Sequence, residues 1–247
     1  MPSPAIIDAG DGAPLTVRTG FALKLFYVFA LLALASAAIG GVGKWAGQTI
    51  AMGGHTDSRT VREIVIGNDV LNVPDNMIRF EKARQDGNAP RLDLYVRWPQ
   101  MDGYSAEASA AFNHAGGAKN ILFVSFEPRM MSRDMSHRFA PIYSRLIEPE
   151  SRPGPAGLRI HRFTEASGYV DEVLAVADEP GAEPFVMRCL AGAAAKESLA
   201  PCERDIHVGR DLSLSYRMPP ELAGEWRAVE DKVRDMASRF LRPASHR

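Results

Sequence analysis

The sequence predicts an α+β protein: a single N-terminal transmembrane helix, then one mainly antiparallel-sheet domain covered by a C-terminal amphipathic helix. Three observations predict it. Residues 25–43 pass without a charge, residues 61–218 hold short β-type runs broken by Pro and Gly, and residues 219–243 carry a one-sided apolar stripe. The 247 residues are 46% hydrophobic and 24% charged, a globular composition that excludes wholesale disorder. A net charge of −1 with no basic cluster excludes a nucleic-acid backbone as partner. Arg outnumbers Lys 23 to 6 in a chain rich in Ala, Gly and Pro, a bias that GC-rich bacterial codons produce. No Asn begins an Asn-x-Ser/Thr acceptor, so nothing favours a glycosylated ectodomain.

Residues 1–24 mix Pro, Gly and Asp and read as a short cytoplasmic tail. Leu25 to Gly43 forms a run of 19 uncharged residues. As a helix it reaches roughly 28 Å, close to the ~30 Å of a bilayer's hydrocarbon core. Lys24 and Lys44 stand at its ends, and Tyr27 and Trp45 near the interfaces. The small-x-small triplet Ala35–Ala37 suits a signal peptidase, but the apolar run continues past it, so the expectation is an uncleaved signal anchor in the lipid bilayer. "GGVGK" at 40–44 lacks the first Gly and the final Ser/Thr of a phosphate loop. Residues 44–60 read as a linker, and 61–247 as the extracytoplasmic domain.

Within that domain, 61–67 and 92–98 alternate in polarity as half-buried strands do, while 121–127 is nearly all apolar and reads as a central strand. Further strands are expected at 141–147, 157–163, 183–189, 202–208 and 212–218, and a short Ser-capped helix follows Ser105. The strands ending near Cys189 and beginning at Cys202 flank a loop short enough to make them antiparallel neighbours, so the two cysteines are expected to form a disulfide. A disulfide implies an oxidising compartment such as the periplasm. Lys and Arg near the span do not decide orientation, so the bridge does: N-terminus in the cytoplasm, domain outside a bacterial inner membrane.

The last element opens with Pro219 and Pro220 and ends at Pro243. Leu222, Trp226, Val229, Val233, Met236 and Phe240 share one face of it. Two uses compete: covering a sheet, or a homodimer seam through residues 222–240.

Chemistry is sparsely signalled. His55, His114, His137, His161, His207 and His246 form no local pair at ligand spacing, so neither a metal nor a cofactor is expected. His55 reads as a solvated linker residue, and "SRDMSHRF" at 132–139 as a solvated loop despite its Ser, Asp and His. "WPQMDGYS" at 98–105 has two readings: a turn tucked against the sheet, or a contact surface formed by Trp98, Met101 and Tyr104. These features lead to a non-catalytic, envelope-tethered module that binds another envelope protein or component. A hydrolase assembled from dispersed residues such as Ser136, His161 and Asp171, or a toxin-neutralising protein, are the alternatives.

Overall fold

The computed structural model describes residues 23–24, 26–39 and 54–242. The chain divides into two units, 1–53 and 54–247. In the first, residues 26–39 form helix α1, whose Phe26, Tyr27, Phe29, Leu31, Leu32 and Leu34 are all exposed. Among the described residues no helix is long and apolar enough to cross a membrane. Residues 25 and 40–43 of the expected span lie outside them, as do the expected tail through residue 22 and linker residues 44–53.

The second unit is the expected α+β body. A small sheet has the order β2-β1-β3, with β1 at Val61–Ile66, β2 at Asp69–Pro74 and β3 at Gly87–Asn88. Eight more strands form the large sheet. They are β4 (Leu92–Arg97), β5 (Ile121–Pro128), β6 (Ile147–Pro153), β7 (Arg159–Phe163), β8 (Glu172–Ala177), β9 (Phe185–Leu190), β10 (Cys202–Val208) and β11 (Leu212–Met218). Their order is β4-β5-β11-β10-β9-β8-β7-β6, and every neighbouring pair is antiparallel. Two short helices, α2 (Ser109–Phe112) and α3 (Gly192–Glu197), lie in connections, and α4 (Trp226–Phe240) closes the fold.

Side chains alternate across a pleated strand, so each strand divides its residues between two faces. One face packs Leu94, Val124, Leu214, Ile206 and Met187 into a core shared with the small sheet and α4. Leu222, Trp226, Val229, Val233, Met236 and Phe240 are all buried in it. Burying that much apolar surface within the chain uses up the stripe, which corrects the homodimer seam at 222–240. Trp226 stacks on Phe185 with ring centroids 4.1 Å apart.

Cys189 and Cys202 are bonded and lie directly opposite each other on β9 and β10. These strands pair only there and at Glu203↔Arg188, whereas β10 and β11 pair along their whole length. The disulfide therefore closes the narrow seam between two halves of the large sheet. Past the seam, the Val186 carbonyl accepts from the Arg204 guanidinium at 2.8 Å instead of from a strand.

The segment expected as a strand at 141–147 is instead a turn containing a short 3-10 helix (Tyr143–Arg145), and the strand begins at Ile147. Tyr143 points into a buried cluster with Phe163 and Val186, which a continuous strand would not allow.

Candidate functional site

The second face of the large sheet is covered at both ends and open in the middle. At the β4–β5 end, Tyr95, Tyr104, Ala108, Phe112 and Ile121 form an apolar cluster. At the β7–β9 end, Phe163, Leu174, Val176 and Val186 form another, over which Met135 and Tyr143 fold from the 129–146 connection. Between these banks lies a cleft of about 360 Å3.

Strand register builds its floor. Tyr95, Phe123, Arg217, Glu203 and Arg188 stand in a directly opposed row across five strands. The adjacent row is Asp93, Ser125, Ser215 and Asp205. Five arginines line the cleft (Arg79, Arg91, Arg138, Arg188, Arg217), against four carboxylates (Asp93, Glu127, Glu203, Asp205). Met130, Met131 and Tyr169 add apolar surface, and Met130 is 86% exposed.

Most of the charge is answered internally. Arg91 lies 2.9 Å from Asp93 and 3.6 Å from Glu127, and Arg188 lies 2.7 Å from Glu172 and 3.8 Å from Glu203. Arg138 pairs with Asp205. Burial pushes the Asp205 carboxyl above its ordinary value, with the Arg138 guanidinium opposing. Burial also raises Glu172, again against the pull of Arg188. Among the described residues Arg79 and Arg217 enter no ion pair. Arg79 lies 4.9 Å from the centre of the Phe123 ring, and Arg217 makes only long bonds to the Ala200 carbonyl (3.3 Å) and Ser198 (3.5 Å).

A second cavity, about 480 Å3, lies beside α4. Its wall includes Asp134, Ser136, His137, Phe185, Arg204, Trp226 and Glu230. Far from being a solvated loop, this stretch folds inward: Asp134, Met135 and Ser136 are buried. His137 Nδ1 lies 2.7 Å from Asp134. Burial would raise the Asp134 carboxyl, but bonds from the His137 ring and backbone bring it below its ordinary value. Ser136 Oγ donates to the Pro184 carbonyl (2.7 Å) and accepts from Arg204 (3.1 Å), so it is occupied structurally.

The sequence-predicted residues fall elsewhere. Trp98, Met101 and Tyr104 are 6%, 7% and 4% exposed, which corrects their assignment to a contact surface. The loop is pressed inward at Gly103, where a Cβ would come within 2.5 Å of the Asn76 carbonyl oxygen, and the Tyr104 amide donates to that same oxygen. Ser136, His161 and Asp171 are not joined by any hydrogen bond among the described residues. His161 sits on β7 with Nδ1 near the Glu148 carbonyl (3.3 Å), while Asp171 is an exposed turn residue with φ +54°. His55 is no solvated linker residue either: it bonds Tyr95 at 2.9 Å and stacks on Tyr104 at 4.7 Å.

Fold and cleft together define a disulfide-closed α+β domain with one sheet face open between two apolar banks. No protein-family model matches the chain, and no curated protein matches it. Among solved structures, the iron-regulated outer membrane lipoprotein FrpD of Neisseria meningitidis is similar over 75% of this chain and 94% of its own, at 9% identity and a TM-score of 0.41. A superposition that loose carries no argument about function.

Proposed function

We propose that this chain is a non-catalytic, membrane-tethered binding module working outside the cytoplasm, which takes a protein partner on the open face of its large sheet. The observation that carries this reading is the cleft itself. Arg, Met and Tyr make up half of its lining residues, and these residue types, with the other aromatics, are enriched where proteins meet. Its apolar banks fix the sheet on either side, so the floor is preorganised for a partner.

Tether and compartment rest on other residues. The uncharged run 25–43, and the exposure of apolar side chains along α1, support a single-pass anchor in the inner membrane with its N-terminus cytoplasmic. The Cys189–Cys202 bridge supports a periplasmic domain.

A photo-crosslinking amino acid at Met130, introduced into the full chain in native membranes, tests the interface. The expected result is a discrete protein adduct that is absent when the probe replaces Val61, an exposed residue of the small sheet. No adduct at Met130, or the same adduct at Val61, would overturn the open face as the partner site. Compartment is tested by maleimide labelling of intact cells, where both thiols should stay unreactive until a reductant is added.

A further inference from the structure

We infer that the cleft selects a partner segment carrying an acidic side chain, and that Arg79 and Arg217 clamp its carboxylate above Phe123. This rests on the open sheet face being the partner site.

The charge balance is the first support. Every carboxylate in the cleft is paired with Arg91, Arg138 or Arg188, whereas Arg79 and Arg217 have no acid between them among the described residues. The second is geometry. Phe123 and Arg217 are directly opposed on β5 and β11, and the Arg79 guanidinium carbon lies 4.9 Å from the centre of the same ring. Arg79 also lies 5.1 Å from Phe80, so aromatic surface engages the guanidinium while its in-plane N–H groups stay free to donate. Arg217 is held only at long distance by a carbonyl and a hydroxyl, which leaves donors unspent.

The class of anion follows from the donors left over. With Glu172, which pairs with Arg188, five arginines meet five carboxylates, so the cleft holds no net positive charge to balance a dianion, and the free donors of Arg79 and Arg217 suit a single carboxylate. A phosphate near −2 would meet Glu203 and Asp205 on neighbouring positions and be repelled. The exposed Met130 and Met131 of the cleft wall call for apolar neighbours beside the acid, and Met adapts to whichever they are. The occupant is therefore a peptide segment in which an acidic residue is flanked by apolar ones.

The test uses the full chain in detergent micelles and two fluorescein-labelled short peptides, one alternating Leu and Glu, the other Leu and Gln. The Glu peptide should bind at least about tenfold tighter, as expected for charge-assisted bonds. R79A and R217A should each remove about that factor for the Glu peptide and leave the Gln peptide unchanged. R159A, which alters an exposed pair with Asp178, should change neither. Circular dichroism of each variant confirms that the fold is kept. Equal affinities for the two peptides, no binding of either, or insensitivity to both arginine changes would overturn the clamp. Displacement of the Glu peptide by inorganic phosphate but not by acetate would overturn the carboxylate in favour of a phosphate group. Photo-crosslinking at Met130 depends on neither arginine, so it judges the proposed function separately.

Discussion

Arg204 is 4% exposed, and its guanidinium donates to four oxygen atoms of three residues. It binds both oxygens of Glu230 (2.9 and 3.1 Å), Ser136 Oγ and the Val186 carbonyl. Glu230 in turn accepts from Tyr216 at 2.7 Å and from Arg234. Burial pushes the Glu230 carboxyl up, but Arg204, Arg234 and the Tyr216 hydroxyl hold it below its ordinary value. A carboxyl depressed on folding stabilises the protein above its unfolded value of about 4.3, and that contribution is lost as pH falls through the lower folded value. Glu230→Ala should cost about 3–5 kcal/mol at neutral pH, because it strands a buried guanidinium; urea unfolding measures it. His55 has the opposite acid–base character. Burial, then the nearby Arg84, lowers its pKa, with Asn113 opposing and His114 adding a little. The docked ring is therefore neutral: its contribution is complete above about pH 6.5 and declines as pH falls through the lower folded value. The protection factors of the amides at residues 55–60, each taken against the intrinsic exchange rate at the same pH, should fall as pH drops from about 7.5 to 5, and His55→Phe should remove that loss of protection.

The seam between β9 and β10 has the shortest strand pairing in the large sheet, two residue pairs with the disulfide across one of them. Reducing the bridge in the folded protein should lower stability by about 3 kcal/mol on the chain-entropy estimate for a loop of this length, seen as a fall in the urea midpoint. Trp226→Ala should cost about 3–5 kcal/mol by the same readout, since the buried ring packs directly on Phe185 of β9. The strands at 202–208 and 212–218 were readable in the sequence because their alternation is regular. Asp69–Pro74 was not, since Asp and Asn dilute its β character, although Gly67-Asn68 before it is a hairpin turn signal. Ile147–Pro153 escaped because it holds two prolines, which only an edge strand accepts, and β6 is at the sheet edge. Glu172–Ala177 follows Asp171, opens on an acid of its own and holds two alanines, too little β-branched character to stand out.

At the scale of the molecule, the disulfide and the sheet-covering helix were legible, because each depends on residues close in sequence or on one period. The cleft was not. Arg79 and Phe123 meet only after β4, β5 and β11 take their register, and nothing local to Arg79 marks it. Composition misled at Trp98, Met101 and Tyr104 for a related reason: large apolar groups beside Pro and Gly look alike in a contact loop and in a loop folded into the interior. Removing residues 1–53, which form their own unit, should release the remainder from carbonate-washed membranes into the soluble fraction. Persistence in the pellet would contradict anchoring through residues 25–43.

Arg204 has a historical consequence. Ser136, Arg204, Tyr216 and Glu230 come from a connection, two strands and the last helix, yet none can drift freely while the others stay. Descendants of a common ancestor should change these four together or not at all, even where the rest of the surface has diverged beyond recognition. Kinship for this protein is best sought in that quartet, not in overall resemblance.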